Sequence, residues 1–309
     1  MFMSKSPFFS VIIPTYNRAD LLRQSINSVL QQTFTEFEII VVDNFSSDST
    51  PVVMKNYEGD PRIRYFRNEQ NMERAYSRNV GFKNAKGNYL TLLDSDDIIY
   101  PNCLRDAYEH SKINPQQKIF HNLYEFIDEE GKRTKTVNFQ PLINQYKQIC
   151  QGNFLSCIGI FLHKDVYEKF LFTEDLKMIG SEDYEIWFRV LAYYNVGRIN
   201  RINCGIREHE GRSVYSVMYN NLDYQRKQII SMIQTTPALR EKYGNYIGYI
   251  NANYYFHQAI HSLHIGKRRQ AGNHFSKSLT NGKGMFFTKR FFAFIKNFFL
   301  SFLEHSTTK

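Results

Sequence analysis

The residues best suited to chemistry stand together at Asp94-Ser95-Asp96-Asp97, directly after the apolar run Leu90-Thr91-Leu92-Leu93. Three carboxylates within four residues repel one another, and a fold keeps such a group when something cationic neutralises it. Carboxylate oxygens favour hard divalent ions, and Mg²⁺ or Mn²⁺ commonly arrives with a substrate phosphate. The same residues also suit a solvated turn or a helix cap, since Pro101 follows and Asp is a favoured capping residue. A second acidic group, Glu182, Asp183 and Glu185, opens a segment whose apolar residues Tyr184, Ile186, Trp187, Val190 and Leu191 follow helical spacing. Acids in a first helical turn complement the helix dipole. A carboxylate there is equally a candidate general base.

Elements that would position these acids are legible upstream. Phe8–Ile13, Phe37–Val42, Ile63–Phe66 and Leu90–Leu93 are short apolar runs. Between them, Arg18–Gln32 and Glu73–Ala85 carry helical periodicity. Strands that read as continuous apolar runs and alternate with helices predict an α/β fold with a mostly parallel central sheet and helices on both faces. Such a sheet places functional residues at the carboxyl ends of its strands. Here three strand ends are polar: Pro14-Thr15-Tyr16-Asn17, Asp43-Asn44 and Asp94–Asp97. No GxGxxG and no GxxxxGK[ST] is present, so phosphate would be held by metal and side chains instead. Gly131-Lys132 predicts a hairpin turn between Tyr124–Ile127 and Thr134–Phe139.

The chain of 309 residues is 42% hydrophobic, enough for a sizeable core. Its four cysteines form no CxxC pair, which predicts reduced thiols rather than zinc or disulfides. The first ten residues lack a signal-peptide pattern, and no run of apolar residues has the length of a membrane span. The net charge of +9 is concentrated: Gly266–Lys309 holds nine Lys or Arg against Glu304 alone. That distribution argues against a nucleic-acid-binding protein.

Taken in order, Ser10-Val11-Ile12-Ile13-Pro14-Thr15-Tyr16-Asn17-Arg18, Ile39–Asn44, Arg78-Asn79, Leu92–Asp97 and Gly180-Ser181-Glu182-Asp183 resemble glycosyltransferase family 2, the inverting enzymes of GT-A fold. The resemblance spans roughly residues 8 to 215. It implies a nucleotide-sugar donor, a UDP-sugar in the first instance, a divalent Mn²⁺ or Mg²⁺ ion, and direct displacement with inversion onto a glycan or lipid-linked hydroxyl. It further implies that Pro14, Thr15, Tyr16, Asp43, Arg78, Asp94 and Ser95 bind the nucleotide. Asp96 would be the principal metal ligand, with Asp97 beside it and His209 of Arg207-Glu208-His209 nearby. Asp183 would be the general base and Glu182 its nearest competitor. One departure is visible: the family often has Asp-Asp-Gly-Ser after the second strand, where this chain has Asp43-Asn44-Phe45-Ser46.

These readings predict a catalytic domain over residues 1–219, a helical appendage over 220–284 and a basic amphipathic helix and tail over 285–309. In the last, Phe291, Phe292, Phe294, Ile295, Phe298, Phe299, Phe302 and Leu303 share one sector, opposite Lys289, Arg290 and Lys296. That pattern predicts an interfacial membrane anchor, and hence a cytoplasmic protein on the inner membrane face; docking of the Phe sector onto the protein is the other outcome. The pathway implied is surface-polysaccharide assembly. Two other functions fit an acidic α/β site: a nucleotidyltransferase, or a non-catalytic nucleotide-sugar-binding protein at the membrane surface.

Overall fold

The structure is a computed structural model that describes residues 6–135, 137–209, 221–282 and 289–303, the last as backbone alone at 289, 290 and 299–303. Contacts divide the chain into two units, Met1–Ile143 with Leu155–Arg212, and Asn144–Phe154 with Ser213–Lys309.

The first unit is α/β. In chain order it contains β1 (Phe9–Thr15), α1 (Ala19–Leu30), β2 (Phe37–Asp43), α2 (Thr50–Lys55), β3 (Ile63–Arg67), α3 (Glu73–Asn84), β4 (Tyr89–Leu92), β5 (Ile98–Ile99), α4 (Cys103–Ile113), β6 (Ile119–Ile127) and β7 (Arg133–Lys135). After the segment belonging to the other unit come β8 (Ile160–His163), α6 (Lys164–Tyr167), α7 (Glu182–Leu191) and β9 (Val196–Arg207). The described strands form one sheet in the order β3-β2-β1-β4-β8-β6-β9-β5, with β7 on β6.

The strands β3, β2, β1 and β4 are parallel, with Ile12 level with Ile40 on one side and Leu92 on the other. Every residue of β1 and β2 is buried, as a two-sided covering requires. Between β1 and β4 the direction of winding reverses, because β2 and β3 lie to one side of β1 and β4 to the other. In open α/β sheets the carboxyl ends at that reversal form a crevice. Helix α3 lies tight over β1: a Cβ at Gly81 would overlap the Ile12 side chain, so only glycine admits this approach.

The far half of the sheet departs from the sequence expectation. β8 inserts between β4 and β6 and is antiparallel to both, and β9 is a twelve-residue strand that none of the apolar runs announced. The expected hairpin forms, with β6 and β7 paired across Gly131, and its second strand is described as ending at Lys135.

The second unit is helical. It comprises α5 (Gln145–Gln151), α8 (Leu222–Thr235), α9 (Pro237–Tyr243), α10 (Ile247–His264), α11 (Arg268–Asn281) and α12 (Lys289–Leu303). The predicted boundary near residue 219 leaves α5 in the wrong unit: Asn144 caps that helix and also donates to the Tyr246 hydroxyl, and Tyr146 packs edge-on to the buried Tyr243. The α10–α11 hairpin turns at Ile265-Gly266-Lys267. Phe294 of α12 is buried among Phe256, Ala259, Ala271 and Phe275, with Phe291, Ile295 and Phe298 packed around them. Four members of the predicted membrane-facing sector are therefore seated on the protein, while Phe292 is 55% exposed. Among the described residues no helix is long and apolar enough to cross a membrane.

Candidate active site

The crevice at the ends of β1 and β4 gathers most of the singled-out residues. After β4 the chain makes a tight turn, closed by the Asp97 N–H donating to the Asp94 carbonyl at 3.0 Å. Ser95 is buried within it. The turn separates its three acids. Asp94 faces α3, where its Oδ1 accepts from Arg78 Nη2 at 2.9 Å. Burial would push the Asp94 carboxyl up, but the positive charges of Arg78, Arg74 and Arg18 hold it below the usual carboxylate range.

Asp96 meets two cationic or potentially cationic groups from opposite ends of the first unit. Its Oδ2 lies 2.7 Å from Arg18 Nη1 and 3.0 Å from His209 Nε2. Arg18 sits where α1 begins, so it is delivered by the polar end of β1. His209 follows β9, whose last residue Arg207 is a clamp. The Arg207 main-chain N–H donates to Asp97 Oδ1 at 2.9 Å, its Nε to the Asp96 carbonyl, and its Nη2 to Gln24 Oε1. The acidic turn is thus bolted to β9 and α1. Asp97, expected beside the metal, gives its Oδ1 to the β9 main chain and so ties the turn to that strand.

The donor set at Asp96 and His209 fits a divalent ion bound mainly through substrate. No described group of three His, Cys, Asp or Glu could enclose an ion. One carboxylate with an adjacent imidazole, completed by phosphate oxygens and water, is the arrangement in which Mg²⁺ and Mn²⁺ accompany nucleotides. Arg18 already places a positive charge against the same Asp96 oxygen.

The other strand ends contribute differently. The Thr15 hydroxyl at the end of β1 is buried and has no hydrogen-bond partner among the described residues, a cost of about 1–3 kcal/mol that a bound polar group would remove. Pro14 is buried in β1, level with Val42, and Tyr16 stands 44% exposed just beyond. Asp43, named among the nucleotide-binding residues, is fully buried. It accepts from the Ser46 N–H at 2.8 Å and from the Tyr65 hydroxyl at 2.7 Å, with Arg67 Nε at 3.4 Å. Its observed part is to shape the loop after β2. That loop is tied to the β1 end by the Asn17 N–H donating to Ser46 Oγ and the Ser47 N–H donating to Asn17 Oδ1.

The second acidic group converges on the first through Arg78. This buried guanidinium donates to Asp94 and, from Nη1, to Glu182 Oε1 at 3.3 Å. Glu182 is also 3.5 Å from Arg74 Nε and accepts from the Gly180 N–H at 2.6 Å. Gly180 adopts φ +88°, a left-handed conformation that favours glycine and turns the chain into α7. Glu182 is therefore shared between two guanidinium groups and a main-chain N–H. Asp183 differs. Its Oδ1 accepts the Tyr184 N–H, and burial together with the neighbouring Glu182 charge pushes its carboxyl up to about 6, with Arg78 and Arg74 pulling the other way. A carboxylate tuned towards neutrality is well placed to take and give a proton.

Sequence reasoning named Arg18 and Arg207 only as members of motifs and passed over Arg74 and Tyr65. Their signal was weak because a cation neighbours an acid here only after folding: Arg207 and Asp97 are 110 residues apart.

Comparison with known proteins agrees with this architecture. The sequence model described as "Glycosyl transferase family 2" matches residues 10–171, more than half of the chain. The chain belongs to glycosyltransferase family 2. An uncharacterized glycosyltransferase of Methanocaldococcus jannaschii is 34% identical over 60% of this chain and 65% of its own length. An uncharacterized glycosyltransferase of Rickettsia felis is 34% identical over 67% of this chain and 34% of its own. The chain therefore spans between about a third and two thirds of these relatives. The Escherichia coli UDP-Glc:alpha-D-GlcNAc-diphosphoundecaprenol beta-1,3-glucosyltransferase WfgD is 32% identical over 63% of this chain and 73% of its own. Among solved structures, S. aureus TarS residues 1–349 in complex with UDP-GlcNAc aligns with a TM-score of 0.66 over 91% of this chain and 93% of that one, at 18% identity. The mannosyltransferase PcManGT of Pyrobaculum calidifontis, in complex with GDP-Man and Mn2+, aligns at 0.62 over 99% and 88%, at 14% identity. Both establish the GT-A-like fold.

Proposed function

We propose that this family 2 chain is an inverting glycosyltransferase that moves a sugar from a nucleoside-diphosphate donor, a UDP-sugar, to a hydroxyl of a lipid-linked glycan in surface-polysaccharide assembly at the cytoplasmic membrane face. The observation that carries the reading is the contrast between the acids at the crevice. Asp94, Asp96 and Glu182 are matched by cations, while Asp183 is tuned up to about 6.

In this reading Asp96 and His209 would hold a divalent ion, which when bound would offset charge developing on the departing nucleoside diphosphate. Arg18, already at the Asp96 carboxylate, adds positive charge on the same side. Thr15 offers its unpartnered hydroxyl to the nucleotide, and Tyr16 and Ser95 border that site. Asp183 accepts the proton of the attacking hydroxyl while the anomeric C–O bond to phosphate breaks and the new C–O bond forms on the opposite face. Direct displacement needs no enzyme nucleophile, and none is assigned. The identity with WfgD supports a diphospholipid-linked acceptor, and the UDP-GlcNAc complex of TarS supports a UDP-sugar.

The test is a panel of UDP-sugars and GDP-mannose incubated with Mn²⁺ or Mg²⁺, with release of free nucleoside diphosphate as the readout and the product anomer read by NMR. Metal-dependent release of the diphosphate from at least one donor, with inversion, is expected. Formation of nucleoside triphosphate and sugar 1-phosphate when pyrophosphate is added to the donor would instead identify nucleotidyl transfer. Donor binding without turnover across candidate acceptors would identify a binding protein.

A further inference from the structure

The acids of the helical unit are confined to its first helices and its tail, where Asp223 pairs with Arg226 and Lys227, and Glu241 with Lys242. From Tyr243 to Leu303 the sequence contains eight Lys or Arg and no Asp or Glu. These residues include the whole of α10, α11 and α12, whose inner faces pack on one another through Phe256, Phe275 and Phe294. Helix α11 turns Ala271, Phe275 and Ser278 inward and leaves Arg269, Asn273, Ser276, Lys277 and Thr280 exposed. The α10–α11 turn is built to one shape: Gly266 takes φ +74°, and the Lys267 N–H closes on the Ser262 carbonyl at 2.8 Å. On this fixed turn His264, Lys267 and Arg269 are exposed, Arg268 is partly so, and Ile265 between them is 50% exposed.

We infer that the α10–α11 turn, His264–Arg269, is a docking surface for an anionic lipid bilayer. Three consecutive cations suit phosphate headgroups, and each Lys or Arg close to such a surface strengthens binding about fivefold. Ile265 separates a bilayer from a soluble polyanion. An apolar side chain held outward amid cations gains when it enters the headgroup boundary, whereas a dissolved polyanion leaves it wet. This moves the membrane contact away from the Phe sector of α12, four of whose residues are seated against α10 and α11. The inference deepens the lipid-linked acceptor reading. Its test needs no turnover, so failure of either leaves the other measurable.

The full chain is floated with vesicles of phosphatidylglycerol and phosphatidylcholine, and with phosphatidylcholine alone, at low and at 0.5 M salt. Binding to the anionic vesicles, weakened by salt and absent from the neutral ones, is expected. The double variant Lys267→Glu/Arg269→Glu should bind at least about tenfold more weakly, and Ile265→Ser severalfold more weakly, with circular dichroism and donor binding unchanged from the parent. Anionic-vesicle binding that survives both variants would overturn the inference, as would equal binding to neutral vesicles. Binding to inorganic polyphosphate but to no vesicle would also overturn it, and would name a soluble polyanion as the partner.

Discussion

Two acidic clusters in this molecule look alike as sequence and have opposite fates as structure. At Asp94–Asp97 a tight turn fans the carboxylates apart, to Arg78, to Arg18 with His209, and to the Arg207 N–H. At Glu182–Asp183 one acid is gripped by Arg74, Arg78 and the Gly180 N–H, and its neighbour is left with a carboxyl raised to about 6. Adjacent like charges are tolerated in both places, but by different means. The first cluster distributes cations and becomes a place for a metal and phosphates. The second concentrates its cations on Glu182 and so leaves Asp183 able to change protonation. Arg78 belongs to both and couples them.

The comparison breaks most visibly at Asp183. Asp183→Asn should lower turnover by about 10²–10⁴-fold with donor affinity retained, measured by diphosphate release and calorimetry. In the parent enzyme, kcat/KM should be level above about pH 6 and fall below it, because the protonated carboxyl cannot accept the acceptor's proton. A limb near pH 4 would mean that the raised carboxyl is not the base.

The shared guanidinium is next. Arg78→Met leaves Glu182 and Asp94 without their common partner in a buried setting, and unfolding in urea should show a loss of about 3–5 kcal/mol. A change below about 1 kcal/mol would show that Arg74 and solvent suffice. Smaller still is Glu182→Gln. It removes the charge that raises Asp183 and frees Arg74 and Arg78 to favour its ionised form, so the acid limb should move to lower pH. An unmoved limb would deny coupling between the two acids. The mildest is Tyr65→Phe: it deletes one hydrogen bond to Asp43, and thermal stability should fall by about 1 kcal/mol with donor binding little altered.

The parallel half of the fold was readable because it rests on local pattern: continuous apolar runs in β1, β2 and β4, each ended by polar residues. The antiparallel half was not. β8 is four residues long and pairs on both sides with strands distant in sequence, and β9 mixes buried and exposed positions over its length. Within the site, residue types were legible and allegiances were not. The Ser46 N–H is a local partner for Asp43, but nothing local announces Tyr65, and nothing local to Asp97 points to a main-chain N–H on β9. Likewise the Phe-rich sector of α12 reads as a membrane face until the hairpin α10–α11 supplies apolar partners for it.

The division of labour between the two clusters is tested most directly by measuring donor binding and diphosphate release side by side in Asp96→Ala and Asp183→Asn with Mn²⁺. The account predicts that Asp96→Ala loses both metal-dependent binding and turnover, while Asp183→Asn binds the donor like the parent and scarcely turns it over. Parental turnover in Asp183→Asn, or undiminished metal-dependent donor binding in Asp96→Ala, would contradict it.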